Sequence, residues 1–247
     1  MMRKLLSSRL LRGYSKFRAV LHKSVSSEFF ESHRLAVELL LELSGLGGLA
    51  AKPSDNPNVI TVAGDVADRE TARQVISAAV TKFGRVDTLV NNAGIFIMKP
   101  FTAHTDEDYA AITGTNLTGF FHMTQLAVAE MEKNKSGHVV NITTSLVDHP
   151  LESVPSVLAS LTKGGIGAAT RSLAIEYAKR GSVNAVSPCI INTPMYAAEK
   201  HEYLAKLHPM GQMGNASDIV DAMMYLEFAP YVSGEILNVD GGRSAGH

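Results

Sequence analysis

The sequence predicts an α/β fold with a doubly wound parallel sheet, on three observations. From Val59 onward, short apolar runs alternate with longer amphipathic stretches, the pattern of strands joined by helical crossovers. One short run, Val86 to Val90, ends in the polar turn Asn91-Asn92-Ala93-Gly94. Such a turn follows the carboxyl end of a strand, where α/β folds place ligands. The length, 247 residues, suits one such domain with a full core.

Each element has its own signal. Phe30, Leu35, Val37 and Leu39 to Leu41, interspersed with Glu31, Arg34 and Glu38, predict a helix over Phe29 to Leu43. Ser44-Gly45-Leu46-Gly47-Gly48 ends it, and Lys52 to Pro57 reads as a loop. Val59 to Ala63 is a short strand. Ala72, Val75, Ile76, Ala79, Val80 and Phe83 recur at helical spacing, which predicts a helix from about Arg69 to Phe83 with Gly84 as its stop. A strand over Thr88 to Asn91 precedes a long helix over Asp106 to Lys133, with Tyr109, Ile112, Phe120, Phe121, Thr124, Val128 and Met131 expected on its buried face. Then come a strand over His138 to Thr143, a loop through Asp148-His149-Pro150, and a helix from about Ser156 to Lys179. A strand over Ser182 to Ser187, helical segments near Met195 to Leu207 and Ser217 to Phe228, and a last strand over Glu235 to Val239 complete the series.

Composition narrows the function classes. The net charge is −1 with both signs mixed, so nucleic acid is not expected as a partner. No apolar run reaches the length of a membrane span, and no metal site is assigned. The single cysteine, Cys189, excludes an internal disulfide framework and suits a reducing compartment, so a cytoplasmic location is expected. Up to Ser27 the chain carries Arg3, Lys4, Arg9, Arg12, Lys16, Arg18 and Lys23 and no acid. That segment reads as a divergent arm or an altered reading frame, with a mitochondrial targeting segment as the alternative. The expected organisation is a divergent basic segment over 1–51 and the α/β domain over 52–247.

The order Asn91-Asn92-Ala93-Gly94, Asn116, Ser145, Lys163, Pro188, Thr193-Pro194-Met195 and Asp240-Gly241-Gly242 resembles the short-chain dehydrogenase/reductase family, from about Val59 to Gly242. The resemblance implies a Rossmann-type sheet and an NAD- or NADP-dependent oxidoreductase that moves a hydride between nicotinamide and a small alcohol or ketone. It implies that Ser145 orients the substrate oxygen, Asn116 holds a relay water and Lys163 binds the nicotinamide ribose. Asp65 and Val66 would meet the adenine, Asn91, Ala93 and Gly94 the adenosine ribose, and Pro188 and Thr193 the nicotinamide. It further implies a homodimer or homotetramer, built through the helices around Asp106 to Lys133 and Ser156 to Lys179.

The chain departs from the family pattern in three places. The family places a Tyr four residues before the Lys, so that both point from one helix face into one pocket and the cation brings the phenol's acidity toward neutral. Here that position is Ala159. Ser156, Ser160, Asp148, His149 and Tyr196 remain as candidate proton donors. The family's opening Thr-Gly-x-x-x-Gly-x-Gly has no counterpart before residue 59, so the first βαβ portion is expected to be degenerate or replaced; the glycines at 45–48 read as a helix-ending turn. Cys189 replaces the usual Gly after Pro188. These departures carry the alternative function, a catalytically inactive family member acting as a binding or assembly subunit.

Overall fold

A computed structural model of the chain describes residues 36–41, 59–193 and 196–246. Asp68 and Gly84 bracket the first helix, α1 (Arg69–Phe83): the Asp68 carboxylate accepts from the Glu70 amide at 2.9 Å, and Gly84 takes the left-handed φ of 83° that a glycine adopts without a Cβ clash. Between these caps, Ala72, Val75, Ile76, Ala79 and Phe83 form the buried stripe that the sequence spacing predicts.

Eight strands are described: β1 (Ala36–Leu41), β2 (Val59–Gly64), β3 (Thr88–Asn91), β4 (His138–Ile142), β5 (Ser182–Pro188), β6 (Ile191–Asn192), β7 (Gly214–Asn215) and β8 (Ile236–Val239). Every pairing between them is parallel. The main sheet has the order β3-β4-β5-β8, and β1 pairs with β2. The register sets Asn91 beside Asn141, Ile142 beside Val186 and Pro188 beside Val239, so the carboxyl ends of these strands open on the same side.

The remaining helices are α2 (Asp106–Thr113), α3 (Gly119–Asn134), α4 (Val157–Glu176), α5 (His201–Ala205) and α6 (Ala216–Glu227). Alternation along the strands feeds two cores. Leu89, Val139 and Val183 pack with α1, α3 and Ala174 of α4, whereas Val90, Val140, Ile142 and Val186 pack with Val220, Met223 and Leu226 of α6. Strands buried on both faces by helices are what a parallel sheet requires. Among the described residues, no helix is long and apolar enough to cross a membrane.

Three expectations are corrected. Ala36–Leu41, expected within a helix, is a parallel strand in register with β2; a short apolar run satisfies both periodicities, and pairing decides. The rest of that expected helix, the glycine turn at 44–48 and the loop at 52–57 lie outside the described residues, as do the basic segment up to Ser27, Pro194 and Met195. The helix expected to run unbroken over Asp106 to Lys133 is divided by a π turn at Gly114–Thr118. Tyr109 and Phe121, expected inside, are 51% and 52% exposed, while Ile112, Thr124, Val128 and Met131 are buried as expected.

Candidate active site

The π turn is where the site begins. Asn116, inside it, is buried. Its amide donates to the Ile95 carbonyl at 3.2 Å and to Thr162 Oγ1 at 3.1 Å, and its Oδ1 accepts from the Ile95 amide at 2.9 Å. π turns recur at functional sites, and this one ties the segment after Gly94 to the α4 residue beside Lys163. Gly94 completes the junction. A Cβ on it would stand 3.1 Å from Lys163 Nζ and 3.3 Å from Asn116 Oδ1, so only a glycine leaves that approach open. The structure thus brings Gly94, Asn116 and Lys163 together from three elements.

Lys163 projects from α4, and its Nζ donates to the Ile142 carbonyl at the end of β4, at 2.6 Å. Among the described residues no carboxylate pairs with it. Burial lowers the ammonium's pKa from 10.5 to about 8, because a cation loses hydration that one carbonyl does not replace.

Ser145 follows β4. Its amide donates to the Pro188 carbonyl at 2.9 Å, which locks the two strand ends together. Its hydroxyl is buried and has no hydrogen-bond partner. A buried hydroxyl without a partner is costly, and this one lies at the carboxyl ends of the strands, 1% exposed. The Cys189 thiol stands next to it. Burial pushes that thiol's pKa up, with the Ser145 hydroxyl opposing the change, although the approach of the two groups falls short of a directed bond.

The other residues singled out by sequence sit further off. Asn91 donates to Thr124 Oγ1 and Asn141 Oδ1, both at 2.8 Å, and Asn141 donates to Thr170 Oγ1 at 2.9 Å; this ladder fastens β3 and β4 to α3 and α4. Ala93 packs against the core on the α1 side. Asp65 is exposed beyond β2, with one carboxylate oxygen accepting from the Ala67 amide at 2.9 Å. Val66 is buried against Gly119, where an added Cβ would come within 2.7 Å of it. The Thr193 carbonyl accepts from the Tyr196 amide at 3.0 Å.

A cavity of ≈ 490 Å³ opens at these strand ends. Asn92, Gly94, Ala159, Lys163, Cys189 and Tyr196 line it, together with a larger apolar set that includes Phe96, Met98, Leu151, Tyr203, Leu204 and Leu207 as its wall. Sequence reasoning does not find that wall, because its members come from three separate segments with no shared motif. Burial and then the neighbouring Cys189 raise the pKa of the Tyr196 phenol. Ser145, Asn116, Asp148, His149, Ser156 and Ser160 do not line the cavity, although Thr144, Leu146 and Cys189 around Ser145 do; Ser160 donates instead to the Leu146 carbonyl at 3.2 Å. The available N–H groups of Lys163 and the space kept by Gly94 fit the nicotinamide-ribose end of a dinucleotide, and the unpartnered Ser145 hydroxyl lies beside Cys189 at the same strand ends. Among the described residues, no group of three or more His, Cys, Asp or Glu is placed to hold a metal ion.

The chain is similar to known proteins over most of its length. A family model described as enoyl-(acyl carrier protein) reductase matches residues 47–244. The 3-oxoacyl-[acyl-carrier-protein] reductase FabG of Thermotoga maritima is 33% identical over 184 residues, 72% of this chain and 74% of that reductase. The 3beta-hydroxysteroid dehydrogenase 1 of Eggerthella lenta is 33% identical over 218 residues, 85% of this chain and 79% of that dehydrogenase. Among solved structures, a variant of ElxO with NADPH bound superposes with a TM-score of 0.82 at 25% identity, covering 94% of this chain and 100% of that one.

Proposed function

The chain belongs to the short-chain dehydrogenase/reductase family, and from that premise we propose that the cavity at the strand ends takes an apolar ketone or the corresponding secondary alcohol. The protein is an NAD(P)-dependent oxidoreductase. One observation carries the substrate class: a single cavity is lined both by Lys163 and Gly94 and by the apolar Phe96, Met98, Leu204 and Leu207. Burying apolar substrate surface there contributes about 25 cal/mol per Å², while the polar groups fix the carbonyl.

When bound, reduced nicotinamide supplies a hydride to the carbonyl carbon. The chain's own residues do the rest. Ser145 offers its free hydroxyl to the carbonyl oxygen, Lys163 holds the ribose, and Asn116 keeps the Gly94–Ile95 turn against α4. Asp65, Val66, Asn91, Ala93, Pro188 and Thr193 belong to the path proposed for the rest of the dinucleotide, through the strand ends on which they lie.

The protein works as a homo-oligomer in the cytoplasm in this reading. Phe121 on α3, together with Leu161 and Ile175 on α4, supports the first point, being 52%, 56% and 82% exposed, and the lone cysteine supports the second. Ala159 is the support for the inactive alternative, and none of the relatives above is named for such a role. Incubating the chain with apolar ketones and NADH or NADPH, and following cofactor absorbance, tests the reading. Ketone-dependent oxidation of either cofactor is expected, and its absence across the panel overturns it.

A further inference from the structure

The methyl group of Ala159 stands one helical turn before Lys163, and both residues line the same cavity. Positions four apart share a helix face; Ala159 packs with Ile112 and Leu158 yet still borders the cavity, so a larger side chain at 159 would project toward the ammonium where the methyl does not reach. Gly94 keeps a second side of the ammonium free, because even a Cβ there would reach to 3.1 Å from Nζ. Nζ carries three donors and one is spent, on the Ile142 carbonyl.

We propose that Lys163 is itself the acid that protonates the substrate oxygen, through the space Ala159 leaves open. This inference rests on the function proposed above. The bonds balance as follows. The carbonyl carbon gains the hydride, the carbonyl π pair moves onto oxygen, and that oxygen takes a proton from Nζ. Nζ is left as a neutral amine and regains a proton from solvent. In the reverse direction the neutral amine takes the alcohol's proton while hydride leaves carbon for the oxidised cofactor.

The competing groups are less suited. The other titratable groups facing the cavity are Cys189, Tyr196, Glu199, Lys200 and Tyr203. The pKa values of the Cys189 thiol and Tyr196 phenol move up, away from neutral, whereas that of Lys163 moves down to about 8. An acid serves best when its pKa lies near the working pH. Ser145 is an aliphatic hydroxyl and a far weaker acid.

The test combines two measurements. In the first, the protein without cofactor is trace-labelled with acetic anhydride from pH 6 to 11, and the Lys163 peptide is read by mass spectrometry. Reactivity is expected to rise with a midpoint near 8, below that of the exposed lysines. In the second, ketone reduction is followed against pH for wild type, Lys163→Arg, Lys163→Met and Tyr196→Phe. Wild type is expected to lose rate as pH rises through about 8, and Tyr196→Phe to keep that limb. Lys163→Arg keeps a cation but does not release its proton in this range. It is expected to lose about 10²–10⁴-fold in rate, together with the limb, while a thermal shift with cofactor persists. Lys163→Met gives the same loss and covers the case in which the arginine variant does not fold. A limb that survives in Lys163→Arg, or a Lys163 amine titrating with the surface lysines, overturns the inference and leaves the oxidoreductase standing. A wild-type chain without turnover overturns both.

Discussion

The two ends of the main sheet differ in one respect: among the described residues, the buried hydroxyl left without a partner lies at the carboxyl end. At the amino end of the strands, Thr88, His138 and Asn184 satisfy one another and their surroundings. His138 Nδ1 meets Glu227 Oε2 at 2.5 Å, and Thr88 donates to the same oxygen at 2.8 Å. Asn184 donates to the Val232 carbonyl at 3.0 Å and accepts from the Glu235 amide at 3.1 Å. At the carboxyl end, Ser145 Oγ has no partner and Lys163 has one. A saturated buried network rigidifies a fold, whereas buried groups left short of partners cost stability and are kept where a ligand completes them. The network at the amino end therefore serves the fold, and in the proposed function the open groups at the carboxyl end serve the chemistry.

Single substitutions can break this contrast. Ser145→Ala removes a group that bonds nothing in the free protein. Turnover is expected to fall about 10²–10³-fold, as for loss of one preorganised donor to a developing oxyanion, with the melting midpoint unchanged. A matching loss of stability would show the hydroxyl to be structural. Glu227→Ala should do the reverse. It strips His138 and Thr88 of their shared acceptor, at a cost of about 2–4 kcal/mol in denaturant unfolding, while the rate per folded molecule stays near wild type.

Lys163→Met sharpens the comparison through pH. The folded value of about 8 lies below the ordinary 10.5, so the unfolded chain holds this proton more tightly. The burden of the buried cation is therefore complete below pH 8 and is relieved as pH rises from 8 to 10.5. A gap of roughly 2.5 pH units, at about 1.4 kcal/mol each, sets an upper bound of about 3.5 kcal/mol on the gain from methionine at pH 7. The orphaned Ile142 carbonyl offsets about 1–3 kcal/mol of it. The test is the stability difference between variant and wild type, measured at pH 7 and pH 10.5. It is expected to move against the variant by the higher pH, and a pH-independent difference would refute the depressed value. Cys189→Gly has the smallest expected effect. It uncovers Ser145 and costs about 1 kcal/mol in lost packing and backbone entropy, with KM changing more than kcat.

The fold was legible wherever a local signal sufficed. The Asp68 cap, the stripe from Ala72 to Phe83 and Gly84 define α1 without tertiary information. The π turn was not legible, because the bonds from Asn116 to Ile95 and Thr162 are made across the fold. Tyr109 and Phe121 share apolar periodicity with Ile112, yet periodicity does not say which apolar groups the sheet covers. Ala36–Leu41 carried a pattern that strand pairing resolved. The family order singled out Gly94, Asn116, Ser145 and Lys163, of which the structure brings Gly94, Asn116 and Lys163 together. The acidity of Lys163 and the position of Cys189 beside Ser145 depend on burial and neighbours from other segments, which no spacing encodes.

The claim that the carboxyl end is held short of partners for a nicotinamide ligand is tested most directly by a thermal-shift titration with NADH and NADPH. A ligand of the folded state at 100 times its Kd adds about 2.7 kcal/mol. The account predicts a gain of that size with at least one cofactor, undiminished in Glu227→Ala. A cooperatively melting wild-type chain that neither cofactor stabilises would contradict it.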